Sequence, residues 1–231
     1  LRLNSPAGIA AEAIHVLRLP LRVNKDVARK AGANLARAAG DAELTLLAGR
    51  QRNTAEIAFG MMLRSYNFTD HKTADTDTAG GFTLMVDDVD GPVNSFIPLA
   101  ALAEGVFFTR DLTNEPANVL TTSEFASRLL ALTEAGLEVE VLEEVQMAEL
   151  GMNALLCVGQ GSASPSKMVV MRWNGGTPGD APLALVGKGV VFDTGGISLK
   201  PAGGMEEMTM DMGGAGVVAG TMLALARRQA A

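Results

Sequence analysis

Residues 186–214 constrain the fold of this chain more than any other segment. They read VGKGVVFDTGGISLKPAGGMEEMTMDMGG and place Lys188, Asp193, Lys200 and Asp211 among apolar residues and glycines. A solvated charged face would have polar neighbours, so we expect these four charges to be partly buried and therefore compensated. A divalent metal ion is one source of compensation, and ion pairing between the lysines and the aspartates is the other.

The order of apolar runs predicts an α/β fold with two lobes. Residues 1–92 form a small α/β lobe, with helices over 24–40 and 53–68 that alternate with the strands AELTLLAG and GFTLMVDDV, and residues 93–113 form a linking helix. In residues 114–231, a helix capped by Ser123 precedes the predicted strands LEVEVL, NALLCVG, SKMVVMRW and PLALVGKG. Continuous apolar runs are typical of strands buried on both faces, so we expect a doubly wound sheet with its ligand at the carboxyl ends of the strands.

Composition narrows the class of function. The net charge of −7 argues against a nucleic-acid groove driven by bulk electrostatics, and we expect no membrane span because no apolar run approaches about 18 residues. The single cysteine, Cys157, lies in an apolar run and is predicted to be a buried thiol of a protein from a reducing compartment. The chain begins without Met and stops after an apolar helical segment, which is typical of an interrupted protein.

The charged motif suggests a metal centre. Asp193 follows an apolar run, and Asp211 precedes a helix of small residues whose dipole favours a carboxylate. Such oxygen ligands suit Mn²⁺ or Mg²⁺ and, with nitrogen help, Zn²⁺ or Co²⁺. Lys188, flanked by glycines, could coordinate a metal as a neutral amine, whereas Lys200 could stay charged and stabilise an oxyanion.

Other chemistries fit the sequence poorly. The two histidines, His15 and His71, lie in the first lobe and are interpreted as structural or surface residues. The glycine-rich loops match neither common nucleotide-binding pattern, and a serine-hydrolase elbow is absent from the sequence.

The motif VGKGVVFDTGGISLKP followed by MDMGGA resembles the signature region of the leucyl aminopeptidases, the cytosol aminopeptidase family. The resemblance extends through RDLTNEPANVLTTSEFA and GMNALLCVGQGSASPSKMVVMRWNG. It implies that Lys188 binds one metal ion, that Asp193 contacts both ions and that Asp211 shares the ion of Lys188. It also implies that Lys200 is a catalytic lysine that polarises the scissile carbonyl and that Met208 lines the pocket for the N-terminal side chain of the substrate.

The resemblance further implies a cytoplasmic homo-hexamer that releases N-terminal residues from peptides, with Leu preferred, through water activated by two divalent metal ions. Zinc or manganese would be the usual metal, with magnesium or cobalt as alternatives. The family completes its site with a downstream Asn-Thr-Asp-Ala-Glu-Gly-Arg segment, and residues 76–80 are a poor match in the wrong lobe. The second lobe is therefore expected to be truncated at its C-terminal side and inactive alone. The alternative is a non-catalytic scaffold or DNA-binding protein that keeps the fold.

Overall fold

The structure, a computed structural model, describes residues 1–20, 22–73 and 80–231. It divides into two compact units, Leu1–Ala100 and Ala101–Ala231. The division falls inside the long helix that was predicted for residues 93–113. The polar, aperiodic sequence HKTADTDTAGG (71–81) predicts a loop, and residues 74–79 of it lie outside the described residues.

The first unit combines a helix pair with short strands. Strands β1 (Arg2–Asn4) and β2 (Ala13–His15) pair antiparallel, whereas β3 (Leu44–Gly49) and β4 (Phe82–Val86) pair in parallel. Helices α1 (Lys25–Ala39) and α2 (Thr54–Ser65) confirm the two predicted helices. The Asn24 side chain caps α1 by accepting the backbone N–H of Val27 at 2.9 Å, and Gly40 ends the helix with a φ of 64°.

Helices α1 and α2 approach each other closely enough that glycine is required on both. A Cβ built on Gly32 would lie 1.9 Å from the carbonyl oxygen of Ile57, and one on Gly60 would lie 1.9 Å from the carbonyl oxygen of Arg29. The core beside this contact is apolar, and its buried members are Ala28, Leu35, Ala36, Ile57 and Met61. This packing explains why the two helices need small residues on their facing sides.

The second unit is built around helices and one strand pair. Helix α3 (Asp90–Asn114) enters it from residue 101, and α4 (Thr122–Leu130) continues as a short 3₁₀ helix, Ala131–Ala135. Strand β5 (Glu138–Leu142), helices α5 (Glu144–Glu149) and α6 (Asn153–Gly159) and strand β6 (Met168–Arg172) follow. A second 3₁₀ helix, Met205–Met212, leads into α7 (Gly213–Arg227).

The core of the second unit lies where α4 and α7 meet the β5–β6 pair. Its buried members include Leu112, Phe125, Leu129, Met212 and Leu223. The hydroxyl of Thr121 accepts the backbone N–H of Glu124 at 3.2 Å, so α4 begins two residues earlier than the predicted cap, Ser123, implied. Gly136 ends the segment in the left-handed region, with a φ of 93°, as its position after the helix predicted.

Two predicted strands of the second unit are wrong. The run NALLCVG forms helix α6, because alanine and leucine favour helix and a run this short carries no clear period. Its Cys157 is exposed, which corrects the prediction of a buried thiol. Residues 182–189 form no strand, and Leu183 and Val186 are almost fully exposed.

The α/β class of the fold is confirmed, with small sheets. In the described part of the second unit, the sheet consists of β5 and β6, which pair antiparallel with Glu140 opposite Val170. Residues 182–189, which were predicted as a further strand, instead make a backbone hydrogen bond to the start of α7, where Ala215 N–H donates to the carbonyl oxygen of Lys188.

Among the residues that the structure describes, two helical segments are long and apolar enough to cross a membrane by length and composition alone. They are Asp90–Asn114 and Met205–Arg227, so the expectation that no segment approaches this threshold was too strict. The second carries buried positions at Gly216, Ala219 and Leu223, as a core helix does, and core helices pass the same test. This feature is therefore weak support for a membrane span.

Candidate metal centre

The Lys188 side chain meets Asp211 at the start of α7. Its Nζ donates to Asp211 Oδ1 at 2.5 Å, although 23 residues separate the two along the chain. The Lys188 side chain is 58% exposed, so the expectation that its charge would be partly buried is wrong. Asp211 is 22% exposed, and its other carboxylate oxygen, Oδ2, is buried and has no hydrogen-bond partner among the described residues.

The buried Oδ2 atom of Asp211 is the clearest sign of a ligand in the site. A buried carboxylate oxygen that accepts no hydrogen bond carries a desolvation cost that a cation would offset. Asp211 lies in the last turn of the 3₁₀ helix Met205–Met212, two residues before α7 begins, which agrees with the sequence prediction of a carboxylate near a helix N-terminus.

Asp193 and Lys200 form the second pair. Lys200 Nζ lies 2.7 Å from Asp193 Oδ2 and also donates to the Asp193 carbonyl oxygen at 3.1 Å. The backbone N–H of Gly195 donates to Asp193 Oδ1 at 2.8 Å. The hydrogen bond from Lys200, then that from Gly195, together with the charges of Lys200 and Lys188, holds the pKa of the Asp193 carboxyl below its usual range.

The backbone between Asp193 and Lys200 folds into a tight loop. Gly195 and Gly196 take φ values of 91° and 65°, which side-chain-bearing residues rarely adopt, and Lys200 N–H donates to the Thr194 carbonyl oxygen at 3.0 Å. The turn brings the Lys200 ammonium back over the Asp193 carboxylate. The Asp-Thr-Gly-Gly pattern predicts this geometry, because an Asp side chain often bonds the backbone N–H two residues on.

Met208 lies against the same ammonium. Its sulfur is 3.3 Å from Lys200 Nζ, and its side chain is half-buried on the 3₁₀ helix Met205–Met212. The predicted pocket residue and the predicted catalytic lysine are therefore direct neighbours.

The structure arranges the five predicted site residues as two groups: Lys188 pairs with Asp211, and Lys200 contacts both Asp193 and Met208. The charge of Lys188 also contributes to the lowered pKa of the Asp193 carboxyl. Within residues 1–20, 22–73 and 80–231, three or more His, Cys, Asp or Glu side chains nowhere cluster so as to hold a metal ion. Two carboxylates and the Lys188 amine are donors that suit a divalent metal, and Oδ2 of Asp211 accepts no hydrogen bond from a described residue. These three groups form only part of a coordination shell.

The sequence analysis missed the backbone donors of the site. The N–H groups of Gly195 and Ala215 fix Asp193 and the Lys188 segment, respectively. The first was signalled by the Asp-Thr-Gly pattern. The second depends on the approach of two distant segments, which local sequence does not encode.

Comparison with known families identifies the class to which this fold and site belong. Residues 107–231, more than half of the chain, match the model of the cytosol aminopeptidase family, catalytic domain. This region therefore has the sequence of the catalytic domain of that family. The chain belongs to the cytosol aminopeptidase family.

Curated cytosol aminopeptidases and solved structures also match this chain. The probable cytosol aminopeptidases of Cereibacter sphaeroides and Dinoroseobacter shibae are each 56% identical over 230 residues, which cover the whole of this chain and 47% of each relative. The bottromycin maturation enzyme BotP in complex with Mn superposes with a TM-score of 0.76 at 33% identity, over 89% of this chain and 45% of that one. The cytosol aminopeptidase of Coxiella burnetii, at 23% identity and a TM-score of 0.73, shares the fold. The chain thus spans about half the length of the curated relatives it matches.

Proposed function

We propose that this chain carries part of the active centre of a metal-dependent aminopeptidase that releases N-terminal residues from peptides, with Leu preferred. The proposal rests on Oδ2 of Asp211, which is buried and accepts no hydrogen bond from a described residue, while Oδ1 of the same carboxylate contacts the amine of Lys188. Membership of the family supports it, since the family match covers both residues.

Three side chains would hold the metal ions. Lys188 and Asp211 would share one ion, and Asp193, whose charge is coupled to Lys188, would contact both. When bound, two divalent ions polarise a carbonyl oxygen and lower the pKa of water. Manganese or zinc fits these donors, with magnesium or cobalt as alternatives, and the similar BotP structure contains Mn.

Lys200 and Met208 would act on the substrate. The Lys200 ammonium is held by the carbonyl oxygen and the carboxylate of Asp193, and its third donor contacts the sulfur of Met208. A thioether is a weak acceptor, so the oxygen of a scissile carbonyl would displace it from that donor. Charge that develops on that oxygen would be stabilised by the fixed ammonium. Met208 touches the same ammonium, so its flexible thioether would line the space for the N-terminal side chain.

The described residues supply too few ligands to fill two coordination shells, so we propose that the 231 residues alone bind metal weakly and do not catalyse. The remaining carboxylates would come from a segment like the Asn-Thr-Asp-Ala-Glu-Gly-Arg motif of the family. We further propose that the whole protein works in the cytosol on peptides, as a homo-hexamer.

Metal titration tests the proposal directly. Calorimetric titration of the chain with Mn²⁺ should give saturable binding that Asp211→Asn weakens about tenfold or more, because the amide loses the charge that attracts the ion. Asp180→Asn is the matched control, since Asp180 is an exposed aspartate outside the site. Leucine p-nitroanilide should stay intact with the chain alone. Absence of Mn²⁺ binding, or equal affinity in the Asp211→Asn variant and the wild type, would contradict the proposed function.

A further inference from the structure

The segments that carry Lys188 and Asp211 are joined by backbone as well as by their side chains. The N–H of Ala215, in the first turn of α7, donates to the carbonyl oxygen of Lys188 at 2.8 Å. First-turn N–H groups have no acceptor within their own helix, so this bond uses a donor that α7 leaves free. Asp211 lies four residues before that donor, so the bond fixes the two side chains near each other.

Gly187 makes this approach possible. A Cβ at this position would lie 2.5 Å from the carbonyl oxygen of Gly214, 2.6 Å from Cα of Ala215 and 2.7 Å from its nitrogen. All three atoms are backbone, so a change of side-chain rotamer would give no relief. The φ of Gly187 is outside the left-handed region, so close approach and not backbone conformation requires the glycine here.

The requirement for glycine is confined to the contact. At Gly214 a Cβ would lie 3.1 Å from the nitrogen of Lys188, which is tight but milder than at Gly187. At the adjacent Gly213, nothing lies within 4 Å of the added atom. The crowding therefore follows the line where the two segments touch.

We infer that Gly187, Gly214 and the N–H of Ala215 form a backbone clasp that positions Lys188 against Asp211. The inference rests on the proposed metal site, for which it supplies positioning residues. A methyl group on Gly187 would move the segments apart by about 1 Å to restore ordinary contact, whereas metal–ligand distances tolerate about 0.2 Å. A displacement of about 1 Å can cost roughly 100-fold in the function of a preorganised site.

Amide hydrogen exchange, resolved by residue with NMR, tests the clasp itself. In Gly187→Ala the amide of Ala215 should exchange at least about tenfold faster than in the wild type, because its bond to Lys188 is broken. The amide of Leu223, a buried residue in the same helix, should keep its rate. Gly213→Ala should leave both amides unchanged. Equal protection of Ala215 in Gly187→Ala and wild type would overturn the inference.

Mn²⁺ affinity tests whether the clasp positions the ligands. It should fall about tenfold or more in Gly187→Ala and stay within about twofold of the wild type in Gly213→Ala. Gly105→Ala is the structural control: its Cβ would lie 2.2 Å from the carbonyl oxygen of Gly220, at the α3–α7 contact. It should lower the stability of the unit and leave the affinity of the folded protein unchanged.

The outcomes separate this inference from the proposed function. An equal loss of affinity in Gly105→Ala and Gly187→Ala would mean that Gly187 affects metal binding only through the stability of the unit, and it would overturn the inference. Failure of the wild type to bind Mn²⁺ would contradict the proposed function. The amide exchange rate of Ala215 would still decide whether the clasp exists. If Gly187→Ala does not fold, the milder Gly214→Ala takes its place, with a smaller change expected in both measurements.

Discussion

The ammonium of Lys200 contacts Asp193 twice, at the carboxylate oxygen Oδ2 (2.7 Å) and at the backbone carbonyl oxygen (3.1 Å). Lys188 instead contacts Asp211 through one carboxylate oxygen and leaves the other without a hydrogen-bond partner. The two lysines therefore have different surroundings although they occur in one motif. This difference agrees with a metal-binding role for Lys188 and a substrate-polarising role for Lys200.

Replacing each lysine by methionine should separate the two roles. Lys188→Met should weaken Mn²⁺ binding about tenfold or more, because a nitrogen ligand is lost. Lys200→Met should leave the affinity unchanged or raise it, since the ammonium of Lys200 repels a cation that approaches Asp193. Calorimetric titration of both variants measures the contrast. A larger loss in Lys200→Met than in Lys188→Met would reverse the assignment.

Cys157 should be reactive in the folded protein. Its thiol is exposed on α6 and donates to the Ala154 carbonyl oxygen at 3.1 Å, with no burial to block a reagent. We expect a disulfide reagent such as Ellman's to modify one thiol within minutes, at a rate within about tenfold of that in urea. The thiol–reagent absorbance gives both rates. Labelling that requires denaturant would restore the sequence-based prediction of a buried thiol.

The helices of the first unit were predictable because local signals determine them. Asn24 and Gly40 mark the ends of α1, and the apolar spacing between them follows one helical face. Asp193 and Lys200 were recognisable from charge among glycines and apolar residues. The Asp-Thr-Gly-Gly turn that brings them together is also local.

Errors occurred where the fold depends on distant contacts. A seven-residue apolar run is compatible with strand or helix, so α6 was predicted as a strand. The run before Lys188 has strand composition, but its neighbours in space are the first residues of α7. The exposure of Lys188 was also mispredicted, because flanking glycines do not determine how much solvent reaches the end of a long side chain.

Gly60→Ala should strongly destabilise the first unit. The added Cβ would lie 1.9 Å from the carbonyl oxygen of Arg29, and neither backbone can give way without separating α1 from α2. We expect a loss of about 3 kcal/mol in the free energy of unfolding, measured by urea denaturation. Gly91→Ala is the matched control, since the nearest atom there is a flexible Asp88 side-chain oxygen at 3.6 Å. It should be neutral, or stabilising by up to about 1 kcal/mol, because alanine favours helix.

Arg128 should stabilise the second unit chiefly through Glu115. The Glu115 carboxylate is 3% exposed and accepts from Arg128 Nη2 at 2.8 Å, whereas Glu124, 43% exposed, accepts from Nε at the same distance. Burial opposes the charge of the guanidinium, but the hydrogen bonds to Glu124 and Glu115 outweigh it and raise the pKa of Arg128. The charge of Arg128 thus helps to compensate the buried carboxylate.

Arg128→Met should therefore lower the free energy of unfolding by about 3 kcal/mol, because it removes a compensating charge from a buried carboxylate. Glu124→Gln removes the exposed partner of the same arginine and should cost less than about 1 kcal/mol. Urea denaturation of the two variants measures the difference, and added salt should reduce the effect of the Glu124 change more than that of the Arg128 change. Equal losses in the two variants would show that burial of Glu115 does not set the strength of this pair.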